Sequence, residues 1–340
     1  MTTKVRAQAP GRVNLIGDHT DYTGGLVLPM AIDRSTVIEL ERGVPWLELV
    51  STDDEEPAFL PIDEPVDPLR VWPAWARYVA GVLAVVRPDS GGIGFVRTDL
   101  PIGAGLSSSA ALEVALALAL GFTGTPLDLA LACQQAEQIA SGVPCGIMDQ
   151  LASAAGVEGS ALLIDCTTFS VTPVPVPDDV AVWVVDSGTR RQLTTSFYGV
   201  RRTQCEEAEV LIGPLRSASL SDVESIGLDD LRRRARHVVT ENQRVRDFAS
   251  ALVDGRLADA GRLMVESHRS LRDDFEVSTR ELDSLVSSLC SLPGVYGARL
   301  TGAGFGGCVV ALADPDVEID GGWRVRASAG ASVETLPDDG

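Results

Sequence analysis

Residues 94–120 join a predicted strand to a predicted helix through a loop of glycine and serine, and this transition constrains the fold most strongly. The strand covers 94–100, the loop reads GAGLSSS over 103–109, and an apolar helix begins at Ala110. The free N–H groups in the first turn of such a helix and its dipole favour a bound anion. The serine hydroxyls add donors and a ligand for Mg²⁺. The alternative is a serine that only caps a buried helix. A Walker A loop is excluded, because no Gly-Lys-Ser/Thr occurs.

A second segment, GRVNLIGDHTDYTGG at 11–25, is polar and rich in glycine. It buries little apolar surface, so the stability of the fold alone does not account for it. Its polar side chains include Arg12, Asn14, Asp18, His19 and Asp21. They suit the hydroxyl groups of a small polyol, and glycine lets the backbone approach a ligand closely. The alternative is a polar hairpin tip, because Thr-Gly-Gly at 23–25 is typical of turns.

The charge of the chain limits its partners and its chemistry. The net charge is −20 and the isoelectric point is about 4.5, which argues against a nucleic-acid partner and against an anionic membrane surface. Lys4 is the single lysine. Charge neutralisation in any phosphate chemistry therefore has to come from arginine, from helix N-termini or from a metal.

The six cysteines show no CxxC pair and no zinc-like spacing with the three histidines. Scattered cysteines in a chain of this length are typically buried thiols in a reducing compartment. The first residues lack the pattern of a signal peptide, and the apolar run around 110–122 is too short to span a bilayer. The sequence therefore predicts a cytoplasmic protein.

The order of predicted elements indicates an α+β protein with two lobes, 1–177 and 178–340, divided near the prolines at 173, 175 and 177. Strands are predicted at 3–9, 26–32, 35–51 and within 159–186, and an exposed loop at 53–69. Helices are predicted at 75–86, 128–142, 201–211, 228–249 and 257–271. The segment 295–312 is predicted to form a strand, the turn TGAGFGG and another strand. Glycine-rich turns from both lobes are thus available for one cleft.

The ordered set GRVNLIGDHTDYTGG, PIGAGLSSSAALE and LTGAGFGGCVVAL resembles the GHMP small-molecule kinases, and within them the galactokinase family. The segments EQIASGVPCGIMDQLAS, RRTQCEEAE and ESHRSLRDDFEVSTRELDSLV also look like galactokinase segments, in the expected order. The resemblance implies an N-terminal lobe of the ribosomal-S5-like type and a C-terminal ferredoxin-like lobe. It further implies ATP- and Mg²⁺-dependent transfer of the γ-phosphoryl group to the 1-hydroxyl of α-D-galactose. We expect the protein to be a monomer.

The resemblance also assigns roles to individual residues. It implies that Arg12 and Asp149 are the catalytic pair. It implies sugar contacts from Asp18, His19, Asp21, Gly146, Asp149 and Tyr198. The phosphates would be cradled by Gly103, Ala104, Gly105, Leu106, Ser107, Ser108 and Ser109, with Trp75 near the adenine. Magnesium would be held by Ser109 (or Ser108) and Glu137. Arg190 also matches a family position that supports the site.

Several alternatives remain open at this point. Trp75 is interpreted either as an adenine contact or as a core residue. Glu137 is interpreted either as a metal ligand or as a charge on a helix surface. The turn TGAGFGG is either a wall of the phosphate site or a tight strand connection. The sequence does not distinguish whether Asp149 accepts the proton of the sugar hydroxyl or mainly orients it.

The segment 11–25 departs from the family pattern at two positions. Asp18 stands where these kinases usually carry glutamate, and Thr23 stands where asparagine commonly follows the Asp-Tyr pair. A shorter side chain at position 18 leaves open a related sugar, such as N-acetylgalactosamine, a uronic acid or a pentose. A sugar sensor without catalysis is a third reading, although the GLSSSAA loop and Asp149 are intact.

Overall fold

A computed structural model describes residues 3–189 and 194–337. Its strands are β1 (Thr3–Asn14), β2 (Leu26–Val27), β3 (Pro29–Val44), β4 (Trp46–Ser51), β5 (Ala58–Pro61), β6 (Gly91–Thr98), β7 (Ser160–Asp165), β8 (Ser170–Pro175), β9 (Ala181–Asp186), β10 (Val295–Leu300), β11 (Cys308–Ala313), β12 (Gly322–Val325) and β13 (Ser332–Thr335). Its helices are α1 (Ala76–Val86), α2 (Ser108–Ala119), α3 (Pro126–Ser141), α4 (Met148–Ala155), α5 (Thr194–Ile212), α6 (Leu220–Glu224), α7 (Asp229–Val253), α8 (Leu257–Asp273) and α9 (Arg280–Cys290). The predicted α+β class is confirmed.

The first half of the chain is built on a six-stranded sheet in the order β13-β1-β3-β6-β4-β5. Side chains of β3 alternate, with Ile38 and Leu40 buried and Glu41 exposed, because one face of the sheet packs against helices. Helix α2 lies against β1 and β3 and is apolar on nearly all sides. The core under α1–α4 therefore holds the N-terminus of α2, and the loop before it, in place.

The second half is built on the four-stranded antiparallel sheet β10-β11-β9-β12. Every residue of β11, CVVALA, is buried. Both faces of this strand are covered, which explains a continuous apolar run where a one-sided strand would alternate. Val309 and Ala311 face a core formed with α5–α7 and α9, whereas Val310 and Leu312 face a second cluster.

That second cluster, here called the shared cluster, contains apolar residues from both halves of the chain. It includes Val13, Leu15, Leu106, Val184, Phe248 and Leu312. The polar segment 11–25 and the loop before α2 thus lie directly against the second sheet. The lobe division at residue 177 stays a prediction. Pro173 and Pro175 lie within β8, and β13 returns from the C-terminal side to pair with β1.

One local expectation is wrong. The stretch 53–69 contains β5, which pairs with β4, although acidic residues and prolines around it predict only a loop. Asp149 lies in the first turn of α4. None of the described helices combines the length and hydropathy that a bilayer crossing requires.

Candidate active site

The loop before α2 carries an exposed Gly103 and a partly exposed Gly105. Gly103, Gly105 and Ser107 adopt positive φ angles of 78°, 87° and 58°. The side chains of Ala104 and Leu106 are buried and anchor the loop to the core. Ser107 occupies the N-cap position of α2, but its side chain makes no capping hydrogen bond, so it is not a simple serine N-cap. The loop therefore has the backbone geometry of an anion site.

Ser107 instead binds Asp149, which is also held by Arg12. The hydroxyl of Ser107 donates to Oδ2 of Asp149 at 2.5 Å. Nε of Arg12 donates to Oδ1 at 2.8 Å, and Nη2 donates to Oδ2 at 2.7 Å. Nη1 of Arg12 donates to the carbonyl of Gly105 at 2.7 Å. A bidentate, charge-assisted pair of this kind fixes the orientation of both side chains. The structure thus brings the predicted catalytic pair together, at the phosphate loop.

Beside this pair lies a cavity of about 230 Å³. One water occupies ~30 Å³ of liquid, so the cavity has room for a ligand larger than a single water. Its lining includes predicted residues from three separate segments of the chain: Arg12, Asp18, His19, Asp21, Glu137, Gly146, Asp149 and Tyr198. Gly302 and Ala303 of the turn TGAGFGG complete one wall. The turn is therefore part of the site and more than a strand connection.

Gly146 has no space for a side chain. A Cβ at this position would lie 1.7 Å from Oδ2 of Asp21. Burial, and then the nearby charge of Asp149, raise the pKa of Asp21 to about 7. Asp21 and Asp149 both line the cavity, where a neutral polyol can bridge their carboxyl groups without adding charge.

Asp18 is anchored by the second lobe. Its Oδ2 lies 2.6 Å from Nη1 of Arg299, and its Oδ1 accepts a hydrogen bond of 2.8 Å from the backbone N–H of Gly302. Asp18 is 1% exposed and Arg299 is fully buried. Burial raises the pKa of Asp18, and the charge of Arg299 opposes that shift. Glu241 lies 3.9 Å from Nη2 of the same arginine and joins the second lobe to the backbone N–H of Gly17.

His19 uses both ring nitrogens within the protein. Nε2 lies 3.1 Å from the carbonyl of Ala303 and Nδ1 lies 3.0 Å from the hydroxyl of Tyr22. Burial lowers the pKa of His19 to about 3, so the ring is neutral. A carbonyl only accepts, which places the proton on Nε2 and makes Nδ1 the acceptor for Tyr22. The ring edge and face, rather than a free nitrogen, are what His19 offers to the cavity.

Glu137 and Ser109, the predicted metal ligands, are in contact. The hydroxyl of Ser109 donates to Oε1 of Glu137 at 2.9 Å. Burial, and then the charge of Asp149, raise the pKa of Glu137 to about 7, so Glu137 is not a solvated surface charge. Among the described residues, no group of three or more His, Cys, Asp or Glu is arranged to hold a metal by itself. One carboxylate and one hydroxyl next to a phosphate loop nevertheless fit Mg²⁺, which keeps water and phosphate oxygens as its other ligands.

Two further predicted residues lie at the edges of this arrangement. Tyr198 packs against His19, with ring centroids 5.6 Å apart. Trp75 precedes α1, packs partly against the core, and donates its indole N–H to the carbonyl of Glu56 at 3.2 Å. It does not line the cavity. The predicted supporting residue Arg190 lies outside the described residues.

Sequence reasoning missed several residues that the structure places at the site. They are Tyr78, Glu113, Gln150, Glu241 and Arg299. Gln150 directly follows Asp149, and Arg299 stands two residues before the glycine-rich turn. Proximity to recognised motifs was the signal available for these two.

Comparison with known proteins gives matches over most of the chain. Residues 2–42 match the galactokinase galactose-binding signature, 77–157 the GHMP kinases N terminal domain, and 248–323 the GHMP kinases C terminal model. The chain is 47% identical over 328 residues to the galactokinase of Bos taurus, covering 91% of this chain and 83% of that protein. It is 46% identical over 331 residues to the galactokinase of Chloroflexus aurantiacus, covering 91% and 84%.

Solved structures agree with these matches. A crystal structure of Lactococcus lactis galactokinase complexed with galactose has a TM-score of 0.88 and 31% identity, covering 97% of this chain and 95% of that chain. A mevalonate kinase structure has a TM-score of 0.67 at 20% identity, which is a likeness of fold.

Proposed function

Because the chain belongs to the galactokinase family of the GHMP kinases, we propose that it transfers the γ-phosphoryl group of ATP to the 1-hydroxyl of α-D-galactose. The products are galactose 1-phosphate and ADP. The predicted family, two-lobed fold and ATP-dependent sugar kinase activity are confirmed. The proposed substrate and reaction are supported mainly by the position of Asp149. Its side chain lines the cavity and accepts a hydrogen bond from Ser107 in the loop before α2.

Asp149 orients the sugar hydroxyl. A carboxylate offers about four acceptor positions. Nε and Nη2 of Arg12 and the hydroxyl of Ser107 occupy three of them. The 1-hydroxyl of the sugar takes the remaining position and is aimed at the phosphate loop. As its oxygen bonds to the γ-phosphorus and the bond to ADP breaks, its proton passes to Asp149. Because the transition state is loose, orientation precedes proton transfer.

Arg12 stabilises the transferring group. A guanidinium has five N–H donors. Its contacts with Asp149 and Gly105 use one on each nitrogen, so one N–H on each Nη is left for phosphoryl oxygens. This is charge stabilisation without a lysine, as the composition requires.

The nucleotide lies along the loop. Backbone N–H groups of 103–109 bind its phosphates, and Ser109 and Glu137 would hold Mg²⁺. When bound, the metal neutralises charge on the phosphate oxygens. Trp75 is assigned to the adenine end, where its half-buried ring offers an apolar surface. The lobes meet along this groove, with the division placed near residue 177.

Asp18, Asp21, Tyr198 and the backbone of Gly146 bind galactose hydroxyls, and His19 contacts the sugar with its ring edge and face. We assign the activity to a single protein chain. The cysteines form no disulfide within the described residues, and ATP is an intracellular phosphoryl donor. These points support a cytoplasmic location.

The proposal is tested by offering the purified protein ATP, Mg²⁺ and a panel of sugars. The panel contains galactose, N-acetylgalactosamine, galacturonic acid and arabinose, with a blank that lacks sugar. We expect ADP release with galactose well above the blank and above the other sugars. Release with galactose equal to the blank refutes the proposal, and a stronger response to another sugar moves the assignment to that sugar.

A further inference from the structure

Glu113 is a buried carboxyl group that the proposed mechanism does not use. It lies on α2, is fully buried, and does not line the cavity. Burying a carboxyl group with few hydrogen bonds is costly, and an apolar side chain of similar size would pack at this place without that cost. Such local violations of packing rules are typical of functional sites.

The partner of Glu113 is the amide of Gln150 on α4. Nε2 of Gln150 donates to Oε2 of Glu113 at 3.3 Å and also to Oε2 of Glu137. A primary amide has two N–H donors. Both are committed to the two carboxyl groups, so the position of Glu113 determines how the amide meets Glu137.

The hydrogen bonds among these side chains, together with one turn of α2, form a closed circuit. Oε1 of Glu137 accepts from Ser109, which stands four residues before Glu113 on α2. Residues four apart lie on one face of a helix. The circuit therefore runs from Glu113 through Gln150 to Glu137 and Ser109 and returns along one turn of α2. It fixes both oxygens of Glu137.

We propose that Glu113 is a positioning residue for the metal site: through the amide of Gln150 it holds the carboxylate of Glu137 against Ser109, in the orientation that receives Mg²⁺. This inference rests on the proposed function, which assigns Glu137 and Ser109 to the metal. Glu113 itself is separated from the site by Gln150 and is not a ligand.

The experiment measures metal binding apart from turnover. Mn²⁺ is titrated into protein saturated with galactose and a non-hydrolysable ATP analogue, and free Mn²⁺ is followed by electron paramagnetic resonance. Loss of a residue that orients a metal ligand weakens binding about 10- to 100-fold. We expect that loss for Glu113→Leu and for Gln150→Met. Glu113→Gln keeps the acceptor oxygen and should stay within about threefold of the wild type.

Ser153→Ala is the matched control. Ser153 is also buried on α4, and its hydroxyl binds the carbonyl of Pro10 at 2.7 Å, away from the circuit. This variant should lower the melting temperature without weakening Mn²⁺ binding. In steady-state assays the circuit variants should raise the Mg²⁺ concentration for half-maximal rate, with kcat recovering at high Mg²⁺.

Two results overturn the proposal in distinguishable ways. If Glu137→Gln weakens Mn²⁺ binding but Glu113→Leu and Gln150→Met do not, the positioning role is wrong and the metal assignment stands. If Glu137→Gln also leaves binding unchanged, the metal assignment in the proposed function fails together with it.

Discussion

Replacing Gly146 by alanine tests the sugar site most directly. The added Cβ would lie 1.7 Å from Oδ2 and 2.2 Å from Cγ of Asp21, whereas ordinary contacts begin near 3.4 Å. The carboxylate of Asp21 has to withdraw by at least the difference between 3.4 Å and 1.7 Å. This movement removes its proposed hydrogen bond to the sugar. A hydrogen bond to a charged group contributes about 1.5–3 kcal/mol. The dissociation constant of galactose should therefore rise about 10- to 150-fold.

The matched control is Gly199→Ala. Gly199 lies on α5 beside Tyr198, and a Cβ there meets nothing within 4 Å. Alanine also favours the helix, so this variant should keep galactose affinity and gain slight stability. Calorimetric titration with galactose measures both variants, and a thermal melt verifies that they are folded.

A double-mutant cycle isolates the mechanism. If Gly146→Ala acts by displacing Asp21, adding it to Asp21→Ala should weaken galactose binding little further. The reasoning is refuted if folded Gly146→Ala binds galactose within about twofold of the wild type, or if its effect adds in full to that of Asp21→Ala.

Three further outcomes are expected. Asp149→Ala should lower kcat by about 10²- to 10⁴-fold, with galactose affinity by calorimetry changed far less, and unchanged turnover contradicts its role. The pKa of Asp21 is raised from 3.8 to about 7, so its contribution to stability is present below 3.8 and is lost as pH rises through 7. Asp21→Asn should therefore raise the melting temperature more at pH 8 than at pH 5, and equal shifts at the two pH values contradict this expectation. The galactose affinity of the wild type should fall below pH 7. Arg299→Met leaves Asp18 buried without its partner and should lower the free energy of unfolding by about 3–5 kcal/mol in urea titration, and a loss below about 1 kcal/mol contradicts the importance of that pair.

Local chemistry made much of the fold predictable. The alternation in β3, the apolar run of α2 and the glycine–serine loop each report on neighbours within a few residues, so the type of each element follows from the sequence. Their boundaries do not, because β3 runs continuously over Pro29–Val44 and α2 begins at Ser108. The strand β5 was missed because four residues among prolines and acids carry too short a pattern. The pairing of β13 with β1 joins opposite ends of the chain, which no local pattern indicates.

Some features of the candidate site were also predictable from the sequence, and others were not. Residue identities in the two glycine-rich motifs indicated the type of ligand, and the family resemblance assigned their roles. The contacts that hold them were not predictable, because Arg12 and Asp149 are 137 residues apart and Asp18 and Gly302 are 284 apart. The serines at 107–109 were expected to donate to an anion, to bind Mg²⁺ or to cap the helix, and the bond from Ser107 to Asp149 was not foreseen.

The shared cluster has a consequence for how the enzyme opens. Because Val13 and Leu106 are buried together with Val184 and Phe248, prying the halves apart like a clamshell would expose a hydrophobic layer, at roughly 25 cal/mol for each Å². Substrate entry should consequently involve small loop displacements, and calorimetry should show a single melting transition. Neither half expressed as a separate fragment should remain folded.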